Sequence, residues 1–187
     1  MDKELEKQKN GEWYIPSAEV FVKLQNKSRK FMQEYNKESD KKKREEILKK
    51  WLGNIGENCY IEPPFFCDFG CNLKLGEKVY FNTTCIVLDS AEIEIGDYTM
   101  IGSGVQICTP EHPLSIEERR KDFERALPIK IGRDCWIGSG VIILPGVEIG
   151  DGTVIGAGSI VTKSVPSNCV AVGNPCKVIK KTGENYE

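Results

Sequence analysis

The segment from Ile131 to Val161, IGRDCWIGSGVIILPGVEIGDGTVIGAGSIV, places an aliphatic residue at every sixth position. The repeated residues are Ile131, Ile137, Ile143, Ile149, Ile155 and Val161, and glycine follows four of them. Neither an α-helix nor an ordinary strand has a period of six, whereas a hexapeptide β-solenoid does, because its short strands alternate with turns. The pattern therefore predicts a stack of short strands with the branched side chains inside.

The same repeat can be followed back to residue 55, with two changes of frame. Its earlier positions are Ile55, Ile61, Cys67 and Leu73, then Leu75, Phe81, Val87 and Ile93, then Ile95, Ile101 and Ile107. We interpret the two-residue shifts between these runs as loops between coils. The repeat stops at Thr109 and resumes near Ile129. At about eighteen residues per three-sided coil, the chain would form roughly five coils.

The chain before the repeat has a helical pattern. Apolar residues at helical spacing predict one helix over 17–36 and a second over 39–52. The basic cluster Lys41–Arg44 is flanked by acidic residues, so we interpret it as a solvated helix face. We therefore divide the chain into a helical N-terminal cap and a β-helix. The cap is residues 1–54, and the β-helix is residues 55–187, with an inserted loop at about 109–128 and a C-terminal tail.

Composition restricts the partners of this chain. Of its 187 residues, 40% are hydrophobic and 29% are charged, which is typical of one globular domain with an appendage. The net charge of −2 leaves no basic excess to neutralise nucleic-acid phosphates. Because no apolar run could span a bilayer and no signal peptide precedes the repeat, we expect a cytoplasmic protein without a membrane partner.

Eight cysteines suggest a disulfide or zinc framework, but their spacing does not support one. No C-x-x-C pair occurs, and the chain has a single histidine to complete a metal site. A cytoplasmic chain would also keep its thiols reduced. We therefore interpret the cysteines as small apolar fillers of the solenoid.

The single histidine, His112, lies in the loop sequence CTPEHPLS, between Pro110 and Pro113. Histidine is the side chain best matched to proton transfer near neutral pH. A lone histidine is more often incidental in a globular protein. This one, however, lies in the long segment that interrupts the repeat, and long non-periodic loops in compact domains are often functional. The position makes His112 a candidate catalytic residue.

Five stretches of the sequence resemble the maltose and galactoside O-acetyltransferases, a family of hexapeptide-repeat acyltransferases. They are IGENCYIEPPFFCDFGCN, VYFNTTCIVLD, ICTPEHPLSIEERR, PIKIGRDCWIGSGVIILPGVEIGDGTVIGAGSIVTKSVP and VGNPCKVIK. This resemblance implies a mainly β fold, a left-handed parallel β-helix with a small N-terminal α-helical cap. The handedness comes from the family alone, because the general rule for parallel crossovers predicts the opposite hand. The family also implies a homotrimer with active sites between subunits.

The resemblance further implies direct transfer of an acetyl group from acetyl-coenzyme A, the co-substrate, to a sugar hydroxyl, with no metal. His112 would be the general base. Asn82 would orient the reacting groups and contact the acceptor, while Asp68 and Asp89 would bind the acceptor. The implied coenzyme-binding positions are Ser139, Trp136, Ala157, Thr162, Lys163, Lys177 and Lys180.

Other functions remain open from the sequence. Close relatives often carry an aspartate near Tyr14–Pro16, where this chain has Ile15, so maltose, glucose, a galactoside or another hydroxylated compound could be the acceptor. A sister acetyltransferase that acts on serine or a xenobiotic is a separate alternative. A non-catalytic solenoid scaffold is the alternative from another class. A γ-type carbonic anhydrase is excluded because its zinc needs three histidines and the chain has one.

Overall fold

The computed structural model describes residues 2–183 and shows three helices followed by a solenoid of short strands. The helices are α1 (Lys3–Lys9), α2 (Glu19–Lys37) and α3 (Lys41–Trp51). Helices α2 and α3 confirm the two predicted helices, each beginning two residues later than predicted. Helix α1 was not expected because its charged sequence has no apolar periodicity, but Asp2 caps it by accepting two backbone hydrogen bonds. None of the helices within residues 2–183 is long and apolar enough to cross a membrane.

Three faces of parallel strands form the solenoid. The first face contains β1 (Asn54–Ile55), β4 (Leu73–Leu75), β7 (Ile93–Ile95), β12 (Ile129–Ile131) and β15 (Glu148–Ile149). The second face contains β2 (Tyr60–Ile61), β5 (Tyr80–Phe81), β8 (Met100–Ile101), β13 (Trp136–Ile137), β16 (Val154–Ile155) and β18 (Cys169–Val172), and β19 (Lys177–Lys181) joins it antiparallel. The third face contains β3 (Phe66–Cys67), β6 (Ile86–Leu88), β9 (Gln106–Cys108), β14 (Ile142–Ile143) and β17 (Ile160–Val161). The described residues thus form about six turns, one more than the sequence predicted.

The aliphatic residues of the repeat point into the solenoid. All six repeated residues of the segment from Ile131 to Val161 are at most 2% exposed. Earlier repeat positions are also buried, at 5% exposure or less, whereas Ile55 at the start is only half-buried. Burial of one such side chain contributes about 1.5–3 kcal/mol, so the stacked aliphatic columns supply most of the apolar stabilisation. The structure therefore confirms the parallel β-helix that the period of six predicts.

Coil length differs between the two halves of the solenoid. In the first half, Tyr60 pairs with Tyr80 and Tyr80 pairs with Met100, and we call the coils between these partners the long coils. In the second half, Trp136 pairs with Val154 and Val154 pairs with Val170, so these coils are shorter by two and four positions, and we call them the short coils. The additional residues of the long coils fall between the third and first faces, because the spacing of paired residues at the other two corners is the same in both halves.

We call the corner between the third and first faces the insertion corner. It consists of residues 68–72, 89–92 and 109–128. The last segment is an ordered hairpin rather than an open loop, because β10 (Pro110–Glu111) pairs antiparallel with β11 (Arg125–Ala126), and α4 (Ile116–Arg119) lies between them. The frame shifts seen in the sequence therefore belong to one corner, at which successive coils accept additional residues.

The helical cap packs on the first coil through buried polar contacts. Ser28 Oγ donates to the Cys67 carbonyl at 3.1 Å, and Trp51 Nε1 donates to Ser28 Oγ at 2.8 Å. A separate apolar cluster joins the cap to the insertion corner; its buried members are Tyr14, Phe21, Phe69 and Ala126. The cap therefore fixes the position of the inserted hairpin as well as covering the first coil.

All eight cysteines are free thiols. Four of them are buried, as expected for fillers: Cys67, Cys85, Cys135 and Cys169. Cys71 differs from the expectation because it is exposed at the insertion corner. In the described part of the chain, no group of three or more His, Cys, Asp or Glu side chains is arranged to hold a metal ion.

Candidate active site

His112 follows β10 on the inserted hairpin, and its side chain is 55% exposed. The neighbouring Pro113 is buried and anchors the segment. The Arg119 guanidinium donates to the carbonyls of Pro113 and Leu114, at 3.0 and 3.2 Å. The histidine is thus accessible to a substrate while the backbone that carries it is held in place.

The imidazole of His112 is oriented by its own hairpin. Nδ1 lies 3.0 Å from the carbonyl oxygen of Phe123. Because a carbonyl can only accept, Nδ1 carries the proton of this bond, and the Nε2 of the neutral ring keeps its lone pair. A fixed neutral imidazole with an available nitrogen is the form that a general base requires.

A carboxylate faces that nitrogen. Glu124 Oε2 lies 3.8 Å from His112 Nε2, and the Glu124 side chain is only 14% exposed. The hydroxyl of Tyr14, from the cap, donates to Glu124 Oε1. Burial raises the pKa of the Glu124 carboxyl, against the lowering effect of the Tyr14 hydrogen bond and the nearby histidine. Burial also raises the pKa of Tyr14, so this hydroxyl stays protonated and remains a donor.

Asp68 lies at the insertion corner of the first coil, half-buried beside α2. Its two carboxylate oxygens accept from Gln25 Nε2 at 3.2 and 3.3 Å. Burial raises the pKa of the Asp68 carboxyl, although Gln25 and the charge of Arg29 lower it. The negative charge of Asp68 also raises the pKa of Glu124, after the larger effect of burial, so the two carboxylates share one neighbourhood.

Asp89 does not fit its predicted role in acceptor binding, because it is completely buried, with 0% exposure. Its Oδ1 accepts from the Phe69 N–H at 2.7 Å and from the Cys67 thiol at 3.3 Å, and its Oδ2 accepts from the Asn72 N–H at 3.2 Å. Burial raises the pKa of Asp89 to about 6 despite these bonds. Asp89 therefore braces the insertion corner from inside and presents no oxygen to a ligand.

Asn82, Ser139 and Ala157 lie on the corner between the second and third faces, which we call the corner column. Successive coils approach closely here: a Cβ on Gly102 would lie 2.6 Å from Ser139 N, and one on Gly138 would lie 2.5 Å from Ala157 N. Glycine is therefore required at both positions. The N–H groups of Ser139 and Ala157 take no part in the backbone hydrogen bonds between the described coils. Both residues are exposed, so these donors face outward.

The remaining predicted coenzyme positions lie elsewhere on the second half of the solenoid. Trp136 projects from the second face and is 54% exposed. Thr162 and Lys163 follow β17 on the insertion-corner edge, and Lys177 and Lys180 belong to the antiparallel strand β19. The structure places these five residues along an extended surface rather than in one enclosed pocket.

Within one protomer, the structure does not bring His112 and Asn82 together. His112 lies at the insertion corner, Asn82 lies on the corner column, and the third face separates the two corners. A six-residue face spans about 15–20 Å at roughly 3.3 Å per residue. The predicted catalytic pair can therefore meet only if a second chain supplies one of the two residues.

Sequence reasoning missed three residues around the histidine: Tyr14, Gln25 and Glu124. The signal for Glu124 was its place directly before the return strand β11, since the two strands of a hairpin face each other. Tyr14 gave no local signal, because its partner Glu124 is 110 positions away in the chain.

Two segments of the chain match known families. Residues 7–56 match the maltose acetyltransferase hexapeptide capping motif, and residues 128–163 match the bacterial transferase hexapeptide family, which has six repeats. The chain is also 38% identical to the galactoside O-acetyltransferase of Escherichia coli strain K12, over 93% of this chain and 87% of that protein. It belongs to the maltose and galactoside O-acetyltransferase family. Membership of this family makes the protein an acetyltransferase.

Solved structures of relatives share the whole fold of this acetyltransferase. The maltose O-acetyltransferase from Clostridium difficile 630 is 45% identical, with a TM-score of 0.95 and coverage of 98% of this chain and 99% of that chain. A galactoside acetyltransferase in complex with coenzyme A is 36% identical, with a TM-score of 0.95 and coverage of 98% and 93%. Cap and solenoid therefore occur together in these relatives as one architecture.

Proposed function

We propose that this acetyltransferase moves the acetyl group of acetyl-coenzyme A directly to a hydroxyl of a sugar-like acceptor in the cytoplasm, with His112 as general base. The observation that carries the proposal is the orientation of the imidazole, whose Nδ1 is held 3.0 Å from the Phe123 carbonyl. A sugar hydroxyl is a poor nucleophile while it keeps its proton, and a positioned base contributes about 10²- to 10⁴-fold in rate. The maltose and galactoside relatives support a sugar as acceptor.

The reaction needs one proton acceptor and one set of oxyanion donors. His112 Nε2 takes the hydroxyl proton as the oxygen attacks the thioester carbon, and it returns this proton to the coenzyme sulfur as the C–S bond breaks. Asn82 Oδ1 accepts from the Thr83 N–H at 2.8 Å, which leaves the Asn82 Nδ2 as a donor. Together with the outward N–H of Ser139, this group would stabilise the negative oxygen of the tetrahedral intermediate.

The corner column supports a coenzyme site in three ways. Glycine keeps the coils close together, Ser139 and Ala157 offer outward N–H groups, and Trp136 presents an exposed aromatic surface nearby. Lys177 and Lys180 on β19 can meet phosphates as point charges. The relative that was solved with coenzyme A has the same fold over 98% of this chain, which supports acetyl-coenzyme A as the co-substrate.

Separation of His112 from the corner column supports a homotrimer with active sites between subunits. The second and third faces carry exposed apolar side chains, Met100, Trp136 and Phe66, which are 51%, 54% and 42% exposed. Met100 and Trp136 are neighbours on adjacent coils of the second face, and adjoining exposed apolar side chains support a contact with another chain there. In such an assembly, the insertion corner of one subunit would face the corner column of the next.

The acceptor side of the site contains carboxylates, Asp68 and Glu124, which suit the hydroxyls of a sugar because they only accept hydrogen bonds. Ile15, which is 38% exposed, offers no such oxygen at the cap. Because of Ile15, the identity of the acceptor is the part of the proposal that most needs a test. The competing acceptors are serine and a xenobiotic.

The test is acetyl transfer to a panel of acceptors: glucose, maltose, a galactoside, serine and chloramphenicol. Product should be detected by mass spectrometry, because the eight protein thiols would react with a thiol-release dye. We expect product on a sugar, at least about 10²-fold less with His112→Ala, and unchanged with Glu117→Ala, an exposed control on the same hairpin. Full activity of His112→Ala would overturn the general base, and no product with any acceptor would favour a scaffold.

Complementation tests the shared site. His112→Ala and Asn82→Ala are each expected to be inactive as pure proteins, but co-expressed chains would form mixed trimers. If the site lies between subunits, an intact His112 from one chain meets an intact Asn82 from the other, and activity returns. Mixed trimers that stay inactive would overturn the proposal that His112 and Asn82 of different chains share a site.

A further inference from the structure

A cavity of about 800 Å³ lies between the helical cap and the insertion corner, and we call it the α1 cavity. Helix α1 and the residues directly after it form one wall, to which α2 adds Leu24. All three segments of the insertion corner form the opposite wall, through residues 71–72, 90–92 and 126–128. The cap and the long coils together therefore create a space whose volume is typical of a small-molecule site.

The α1 cavity is separate from the candidate active site. Asp68 follows strand β3 at the third-face end of the insertion corner, whereas residues 71–72 and 126–128 directly precede strands β4 and β12 of the first face. Tyr14, whose hydroxyl donates to Glu124, does not line the cavity. No residue predicted for catalysis or acceptor binding lines it either. A ligand in this cavity would thus occupy a second site.

The inner wall of the α1 cavity is apolar. Leu5, Leu24 and Ala91 line it, and all three pack against the buried cluster that contains Tyr14. Leu127, which is half-buried, adds a further aliphatic side chain from the insertion corner. Covering such a wall removes apolar surface from water, which favours a ligand with an apolar body.

One buried polar group of the wall has no partner. Gln8 lines the cavity and is 5% exposed, and its Nε2 has no hydrogen-bond partner among the described residues. Buried N–H groups are normally paired, because an unpaired one loses its bonds to water without replacement. A ligand oxygen in the cavity would supply the missing acceptor once the amide turns toward it.

The rim of the α1 cavity is positively charged. Lys9 lines it and is exposed, and within residues 2–183 no carboxylate lies at ion-pair distance from its ammonium group. Glu92 also lines the cavity, but Lys74 pairs with it. At Cys71, another lining residue, burial raises the pKa of the thiol, whereas the charges of Lys27 and Lys9 lower it. The rim therefore attracts a negative group.

We propose that the α1 cavity is a second ligand site, which binds a small carboxylate with an apolar body. The carboxylate meets the ammonium group of Lys9 and the amide of Gln8, while the apolar body covers the aliphatic wall. An acid of about eight carbons has about ten non-hydrogen atoms, which corresponds to a Kd on the order of 1 mM. The inference is independent of the proposed function, because it involves neither His112 nor acetyl transfer.

Cys71 can report on the site because it is an exposed thiol in the wall of the cavity. Alkylation of each cysteine by iodoacetamide can be followed by mass spectrometry of its peptide. We expect sodium octanoate at about 5 mM to slow alkylation of Cys71 about fivefold, as mass action gives for a Kd near 1 mM. The partly exposed thiols Cys59, Cys108 and Cys176 lie outside the cavity, and their rates should not change.

The chemistry of the ligand is tested by a neutral analogue. Octanamide has the same length as octanoate but no charge. It should slow alkylation of Cys71 only about twofold, since an exposed charge contact changes affinity by up to about fivefold.

Two variants test the partners of the carboxylate, each through the ratio of Cys71 alkylation rates with and without octanoate. Lys9→Ala should reduce this ratio to about twofold, whereas Lys3→Ala, which removes an exposed lysine of α1 outside the cavity, should not change it. Gln8→Leu should also reduce the ratio. Without ligand, it should raise the midpoint of thermal unfolding by about 2–4 °C, because the unpaired amide is gone.

Three outcomes would overturn the inference. An unchanged alkylation rate of Cys71 in octanoate would mean that the cavity does not bind the acid. Equal protection by octanamide would mean that the site does not select a carboxylate. Equal slowing at Cys59, Cys108 and Cys176 would mean that octanoate acts on the whole protein rather than at the cavity. None of these results depends on whether His112 takes part in acetyl transfer.

Discussion

The two halves of the solenoid share one repeat but treat the insertion corner differently. In the first half, the long coils carry buried polar side chains there: Asp89, Ser90 and Thr109 are all at most 3% exposed. In the second half, the short coils turn this corner through residues 144–147 and 162–164, without a buried charge. Both halves stack aliphatic residues in the same way, so the difference concerns the corner alone.

This difference shows what the additional residues of the long coils require. A longer corner leaves backbone N–H groups that have no partner in the next coil, and buried N–H groups need one. Asp89 accepts from the backbone of Phe69 and Asn72, and Thr109 Oγ1 accepts from the Ala91 N–H at 2.9 Å. The longer corner thereby becomes a rigid base for the hairpin that carries His112.

The largest expected effect is loss of the buried carboxylate. Asp89→Ala leaves three donors without an acceptor inside the first half, so we expect the free energy of unfolding to fall by about 3–5 kcal/mol. The matched change in the second half is Ser164→Ala, which removes a single exposed hydrogen bond to the Glu148 N–H and should cost less than about 1 kcal/mol. Urea unfolding followed by circular dichroism at one protein concentration measures both. Equal losses would mean that the two corners do not differ as described.

The pH dependence of stability should come next in size. Because burial raises the pKa of Asp89 to about 6, the folded state binds a proton there more tightly than the unfolded state does. This contribution is fully present below the unfolded pKa, near 4, and is lost as pH rises to about 6, by on the order of 3 kcal/mol. In Asp89→Asn the contribution is absent. Unfolding measured from pH 4 to 7 should therefore show wild type losing stability relative to Asp89→Asn, and parallel curves would refute the buried charge.

Two threonines provide a matched pair across the halves. Thr109 and Thr153 are both 0% exposed, and each donates one hydrogen bond and accepts another. Either change to valine should cost about 1–3 kcal/mol. Only Thr109→Val should also lower kcat, because the lost Oγ1 bonds hold the backbone of Thr109, whose carbonyl accepts from the Leu127 N–H at the base of the His112 hairpin. Parallel assays of unfolding and acetyl transfer would separate the two, and equal loss of kcat in Thr153→Val would count against a special role of the insertion corner.

The smallest effect on stability is expected from substitutions on the first face, where both halves carry outward-pointing lysines. Lys130 lies between Glu94 and Glu148 of the neighbouring coils, whereas Lys74 lies between Asn54 and Glu94. Lys74 is 43% exposed and pairs with Glu92, and such exposed ion pairs contribute about 0.2–1 kcal/mol. Lys74→Ala and Lys130→Ala should each change stability by less than about 1 kcal/mol, and salt should reduce the effect further. A larger loss of unfolding free energy in one variant than in the other would mean that the two halves also differ on the first face.

The period of six was sufficient to predict the stacked strands, because the burial of residues such as Ile137 and Ile155 depends on local spacing alone. Helix α1 was not predictable in this way, since its buried residue is the polar Gln8 and its apolar contact with the cluster at the insertion corner is made by Leu5. The sequence also could not show that the frame shifts at Leu73–Leu75 lie at one corner, because the pairing of distant strands decides where additional residues go.

The site was predictable where one residue was distinctive. His112 could be found because it is the single histidine and lies in the segment that interrupts the repeat. The burial of Asp89, which was expected at the acceptor, could not be predicted, because the period does not fix whether a corner residue faces inward or outward. The pairing of Tyr14 with Glu124 joins the cap to the hairpin across 110 positions, and only the folded chain reveals it.

The residues of the corner column are regularly spaced along the axis of the solenoid. Asn82, Gly102, Gly138 and Gly156 follow one another in successive coils, since each N–H donates to the next coil along the axis. Neighbouring strands lie about 4.8 Å apart, so the column advances by about 14 Å from Asn82 to Gly156. An extended ligand that lies along this edge would meet one coil about every 4.8 Å. Adding or removing a whole coil would therefore change the length of the ligand that fits while leaving the chemistry at each step intact.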